Sequence, residues 1–199
     1  SPGRAPALQM AWRSKDATVL VVDVGRSMRE PAAKGAAGQV TKADLALRVA
    51  RNFLQQKLLF APKHEVGVVF IGTEETRNAL AGPEGDYQHV VVEHRGAIDV
   101  PDIEVLQPLS EPPAGGAEPD AVNGLIVALD LLIKRTGELK YNKTIRLLTD
   151  AASLAPGDPD MLECLKQLDA SGAKLQVSLV GAADAGGTAD AGAWGAAAA

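Results

Sequence analysis

The segment Ala17-Thr18-Val19-Leu20-Val21-Val22-Asp23 is apolar at successive positions, with one threonine inside it and one carboxylate at its end. A strand with one wet face alternates apolar and polar residues; one covered on both faces reads as a nearly continuous apolar run. This run therefore demands helices above and below a mostly parallel sheet. The rest of the chain supplies them. Residues 42–60 place Leu45, Val49, Phe53, Leu54 and Leu58 at helical spacing and are followed by Pro62, and residues 66–71 are a second apolar strand. Residues 88–94 are polar at the ends and follow the turn-like Gly82-Pro83-Glu84-Gly85, which suits an edge strand antiparallel to its predecessor. A Pro- and Gly-rich loop over 108–119 leads into a helix from Asp120, a suitable N-cap, through Leu125, Leu129 and Ile133. A strand over 144–150, a helix over 159–168 and a strand over 175–180 complete the series. The predicted fold is a doubly wound, Rossmann-like α/β sheet with one antiparallel edge strand.

The expected folded unit is residues 16–181. Residues 1–15 lack periodicity and contain Met10, a natural start, so they are expected to be a disordered or appended segment. Residues 182–199 are a Gly/Ala-rich tail, also expected to be disordered.

Composition removes several functions. A formal net charge of -5 argues against independent tight binding to nucleic acid, which needs clustered Lys and Arg with few opposing carboxylates. The single Cys164 allows neither an internal disulfide nor a thiolate-rich metal site, and it reads as a small apolar core residue. No apolar run approaches membrane-spanning length, so a cytosolic or nuclear protein without membrane contact is expected. No Gly-x-Gly-x-x-Gly follows a strand and no Walker Lys-Ser/Thr appears, so a phosphate cradle is missing. His64, His89 and His94 have no metal-ligand spacing and read as surface residues.

In a sheet of this kind ligands bind at the carboxyl ends of the strands, where the winding switches direction. Asp23-Val24-Gly25-Arg26-Ser27 and Thr149-Asp150 stand there. Asp23, Ser27 and Asp150 could hold Mg²⁺, a hard cation that prefers oxygen ligands, or the two aspartates could cap the loops that follow. The pattern alone weighs these readings equally. A phosphatase using Asp23 as nucleophile would need a second acid where Gly25 stands.

The strand ending in Asp-x-x-x-Ser and the later strand ending in Thr-Asp resemble the von Willebrand factor A domains and their metal-dependent adhesion site. Gly25 takes the place of that pattern's first serine, and Glu118-Pro119-Asp120 offers no threonine where the family has one. Asp23-Val24-Gly25, Phe70-Ile71-Gly72-Thr73, Asn78-Ala79-Leu80, Asp86-Tyr87-Gln88 and Leu125-Ile126-Val127-Ala128-Leu129-Asp130, in that order, resemble more narrowly the N-terminal von Willebrand A domain of the large Ku subunit. That resemblance implies a non-enzymatic, nuclear protein-interaction domain of DNA double-strand-break repair by end joining, with a telomere role besides. It implies a vestigial metal site at Asp23, Ser27 and Asp150, with no cofactor beyond weak Mg²⁺. Its partners would be the small Ku subunit and repair factors carrying short basic-apolar peptides, with DNA held only by a barrel domain outside this chain. The peptide-binding residues it implies are Leu80, Tyr87, Asp120, Ile126 and Leu129. From periodicity alone Ile126 and Leu129 share a helix face that belongs to the core. The alternative is a domain that binds its ligand through a working Mg²⁺ site, and a metal-assisted hydrolase using Asp23 and Asp150 is a remote third.

Overall fold

A computed structural model describes residues 15–181 apart from 33–39, 94–95, 138 and 156. The expectations for 1–14 and 182–199 lie outside the described residues, while Lys15 belongs to the first strand. Five strands form one sheet: β1 (Lys15–Asp23), β2 (Glu65–Ile71), β3 (Val90–Val92), β4 (Tyr141–Thr149) and β5 (Ala173–Leu179). Their order is β3-β2-β1-β4-β5. Between these five strands the β2–β3 pairing is the antiparallel one, with Phe70 opposite Val91. Four helices connect them: α1 (Lys42–Phe60), α2 (Gln107–Ser110), α3 (Ala121–Thr136) and α4 (Pro159–Ala170).

The unbroken apolar run of β1 has the predicted cause. Ala17, Val19 and Val21 pack into a cluster with α3 and α4 residues such as Leu125, Leu132 and Leu168. The intervening Leu20 and Val22 face the opposite cluster, with Leu47 and Leu54 of α1 and Leu109 of α2. Every residue of β2 is buried for the same reason. Each large side chain taken fully out of water contributes about 1.5–3 kcal/mol, so the two faces together supply the main driving force for folding.

The helix starts are written in side chains. Thr41 and Asp44 cap α1 reciprocally, the Thr41 hydroxyl accepting from the Asp44 N–H and the Asp44 carboxylate from the Thr41 N–H. Asp120 and Asp158 accept N–H groups of the first turns of α3 and α4. The edge strand is shorter than its sequence suggests because Tyr87 and His89 have φ of 52° and 59°, a left-handed backbone that interrupts an extended run. The loop over 108–119 begins as the last residues of α2, with Pro108 in the first turn, where its missing N–H is harmless.

At the amino end of the sheet Glu65 is 1% exposed. Its carboxylate accepts two bonds from Arg135, at 2.7 and 2.8 Å, and one from the Tyr141 hydroxyl at 3.1 Å. Burial alone would raise its pKa, but the Arg135 and Tyr141 bonds outweigh burial and hold it below the usual glutamate range. A depressed carboxylate stabilises the fold above its unfolded-state pKa, about 4.3, and that stability is lost as pH falls through the lower folded value. Acid unfolding of the wild type below about pH 4 is therefore expected to be steeper than that of Glu65→Gln. Arg135→Met, which strands the carboxylate beside only Tyr141 and a Lys15 ammonium at 3.8 Å, is expected to cost about 3 kcal/mol in urea denaturation. A loss under about 0.5 kcal/mol, the size of an ordinary surface change, would refute the role given to this pair.

Candidate functional site

The winding reverses at β1, since β2 and β3 lie to one side of it and β4 and β5 to the other. Asp23 and Asp150, at the carboxyl ends of β1 and β4, meet at that switch point, as the sequence suggested. Asp23 is 0% exposed, and both its oxygens are engaged: Oδ1 accepts the Gly25 N–H at 2.8 Å and Oδ2 the Thr149 hydroxyl at 2.7 Å. Burial raises its pKa, with the hydrogen bonds opposing. Asp150 is differently placed. Its Oδ1 accepts the Ser27 hydroxyl at 3.1 Å and the Ala152 N–H at 3.0 Å, and its Oδ2 accepts the Lys42 ammonium at 3.0 Å. Burial alone would raise its pKa too, but the Ala152, Lys42 and Ser27 bonds hold it below the usual aspartate range. Lys42 also donates to Glu30 at 2.8 Å.

The loops around this point are pressed together. A Cβ on Gly25 would lie 2.7 Å from Pro119 Cδ and 3.1 Å from the Ala117 carbonyl oxygen. Gly72, at φ 74°, would bring a Cβ to 2.5 Å from the Gly25 Cα. The Arg26 N–H donates to the Ala117 carbonyl, and the N–H groups of Gly116 and Ala117 to that of Gly72, which locks the loop before α3 against the loops after β1 and β2. Pro119 thus fills the space that a serine at position 25 would need. Among the described residues no three His, Cys, Asp or Glu side chains are arranged to hold a metal ion. As arranged, these residues do not fit a divalent cation: Asp23 is fully buried with both oxygens hydrogen-bonded, and Asp150 is paired with an ammonium.

The peptide-binding candidates divide. Asp120 and Ile126 line a hollow of about 270 Å³ between α3 and α4, together with Val122, Asp158, Asp160 and Glu163. Four of the nine lining side chains are carboxylates, beside the apolar Val122 and Ile126, with Asn123, Cys164 and Gln167 completing the wall. Leu80 and Tyr87 do not line this hollow; they are half-buried against the cluster that contains Leu125 and Leu129. Leu129 is 4% exposed and belongs to the core, the assignment its helical periodicity alone favoured. Asn78 organises the Leu80–Tyr87 loop, accepting the Leu80 N–H at 3.0 Å and donating to the carbonyls of Tyr87 and Val90 at 3.0 and 2.9 Å. Sequence reasoning quoted Asn78 without giving it a task; its signal was an amide beside a turn. Cys164 is 3% exposed, and burial pushes its thiol up to about 11, which suits a structural rather than a reactive residue. Lys42 and Glu30 were missed because they are 108 residues or more from Asp150 in sequence and carry no motif.

If Pro119 is what excludes a side chain at position 25, then Gly25→Ser, which restores the adhesion pattern, is expected to cost about 1–3 kcal/mol in chemical denaturation. Unchanged stability would show that the loops yield.

Comparison with known proteins places this geometry. The family model described as the Ku70/Ku80 N-terminal alpha/beta domain matches residues 17–182. X-ray repair cross-complementing protein 5 of Dictyostelium discoideum is 36% identical over 137 residues, covering 69% of this chain and 17% of that protein. Proteins named ATP-dependent DNA helicase 2 subunit KU80 are 36% identical over 139 residues in rice and 38% over 141 in Arabidopsis thaliana; each match covers 70% of this chain, and 18% and 19% of those proteins. The chain thus spans under a fifth of these relatives. Among solved structures, an aerotolerance-related membrane protein of Bacteroides fragilis superposes with a TM-score of 0.54 at 13% identity, covering 83% of this chain and 67% of that one. BatB of Bacteroides thetaiotaomicron gives 0.53 at 13% identity, over 81% and 65%. These two likenesses establish the fold alone. The sequence matches establish more: the chain belongs to the Ku70/Ku80 N-terminal alpha/beta domain family, as a von Willebrand A-type domain of the Ku80 kind.

Proposed function

We propose that this chain is a non-enzymatic docking module of a Ku large subunit, and that it recruits factors of double-strand-break repair by end joining through short basic-apolar peptides. The observation that carries the reading is the hollow between α3 and α4, where Asp120, Asp158, Asp160 and Glu163 surround Val122 and Ile126. Carboxylates around an apolar floor complement a peptide that presents Lys or Arg beside an apolar anchor. The loop held by Asn78 adds Leu80 and Tyr87 as a second, separate set of amphipathic contacts. The repair role follows from the relatives' names and from family membership. In the whole protein the domain would sit beside the small Ku subunit in the nucleus, with DNA held by regions outside this chain, and a role at telomeres would use the same docking surfaces.

Catalysis has little support at the carboxyl edge. The Ser27 hydroxyl donates to Asp150, and among the described residues no hydrogen bond joins it to a histidine; Asp23 has no exposed surface to offer a substrate. The helicase named in the plant relatives requires a phosphate-binding loop that this stretch does not contain.

Fluorescence anisotropy with a labelled basic-apolar Ku-binding peptide tests the reading. Ile126→Arg is expected to weaken binding at least about tenfold, equivalent to about 1.4 kcal/mol, by putting like charge into the floor. Tyr87→Ala is expected to cost about 1–2 kcal/mol if the peptide also reaches the Asn78-held loop. Affinity unmoved by either substitution would remove the α3 side of the sheet as the docking surface.

A further inference from the structure

The ammonium of Lys42 lies between the carboxylates of Glu30 and Asp150, and Asp150 with Ser27 belongs to the set of residues that matches the adhesion-site pattern. We propose that Lys42 is the resident cation of this site, taking the divalent ion's position beside Asp150 and so closing the site to metal. Its contacts are 2.8 Å to Glu30 and 3.0 Å to Asp150, whose other oxygen is held by Ser27. The lysine side chain is 16% exposed and that of Asp150 7%, so this pair is largely withdrawn from solvent, whereas Glu30 is 66% exposed and contributes little.

Three features fix the ammonium there. Lys42 is the first residue of α1, whose start is held by the reciprocal Thr41–Asp44 cap. Its own N–H donates to the Glu30 carbonyl at 3.0 Å, tying the helix start to the turn after β1. Its methylene stem is packed so closely on Gly181 that a Cβ there would lie 3.1 Å from Lys42 Cγ. A cation at a helix N-terminus opposes the helix dipole. Its presence is understandable when a nearby carboxylate needs a counter-charge and no metal supplies one. A divalent ion needs several oxygen ligands; Asp23 is 0% exposed, so those within reach are Asp150, Ser27 and Glu30, and Lys42 bonds both of these carboxylates. One ammonium neutralises Asp150 with hydrogen bonds alone.

The test compares melting temperatures with and without millimolar Mn²⁺, using NaCl at equal ionic strength as control, for the wild-type chain, Asp150→Asn, Lys42→Met, Lys42→Gln and Lys42→Met/Asp150→Asn. The wild type is expected not to respond. Lys42→Met keeps the apolar stem and helix propensity but exposes Asp150 to solvent cations; its melting temperature is expected to rise by about 3 °C in Mn²⁺. Asp150→Asn in the same background is expected to abolish that rise. Lys42→Gln, which keeps a hydrogen-bond donor without the charge, serves if the methionine variant does not fold. A wild-type response that disappears in Asp150→Asn would overturn the proposal, because a metal would then displace Lys42. Folded Lys42 variants indifferent to Mn²⁺ would overturn it too, since the ammonium would not be what keeps metal out.

Discussion

Asp23 ends the central strand with no exposed surface, and much of the carboxyl edge is arranged around that fact. An ionisable group taken out of water must be neutralised or given hydrogen bonds to both oxygens. Here the partners come from the loop that follows β1 and from the end of β4, through Gly25 and Thr149. The same bonds hold the two loops in register across the switch point. Full burial keeps both oxygens away from an ion in solvent. A carboxylate that in a related fold could coordinate from the surface has become an internal tie between strands.

Asp150 meets the opposite problem. It sits at the rim, ionised, with its pKa held low by the Ala152, Lys42 and Ser27 bonds against a burial effect that alone would raise it. The two aspartates are therefore pushed in opposite directions at the ends of two neighbouring strands. In an active site such a split would mark an acid and a base. Here both groups are spoken for by protein donors, and neither has a partner aimed at open space, so the split is a product of packing. The close approach of Gly25, Gly72 and Pro119 completes the closure by leaving no room for a further ligand side chain.

The fold was legible in the sequence because burial on both faces leaves an unmistakable pattern. The apolar runs at 17–22 and 66–71 and the helical spacing over 42–60 map onto β1, β2 and α1 almost residue for residue. Asp120 was read as an N-cap and is one. What escaped was long-range or conformational. Nothing in the run Gln88 to Val92 announces that His89 adopts φ 59°, so β3 is three residues long. The Lys42 contact joins segments 108 residues apart, and a lysine opening a helix looks like any solvated residue until the strand ends are brought together. Leu129 shows the reverse error of analogy: the resemblance made it a surface anchor, while its period placed it in the core, where it lies at 4% exposure.

The superposition with bacterial proteins at 13% identity and the 36–38% identity with Ku80-type relatives concern different levels of the molecule. Shared backbone architecture follows from two apolar faces and a crossover order, which many sequences satisfy, so it says little about what the domain binds. Binding depends on which edge of the architecture remains open. With Pro119 and Lys42 packed into the carboxyl edge, the α3–α4 hollow and, separately, the Asn78-held loop are two places where polar groups stand beside partly exposed apolar side chains. In the hollow the carboxylates of Asp120 and Asp158 already cap helices, so they are held in place before any ligand arrives. Preorganised acceptors of this kind reduce the ordering entropy a bound peptide must overcome. The carboxyl edge is thus held by contacts within the protein, while the α3–α4 hollow sets helix-capping carboxylates beside Val122 and Ile126.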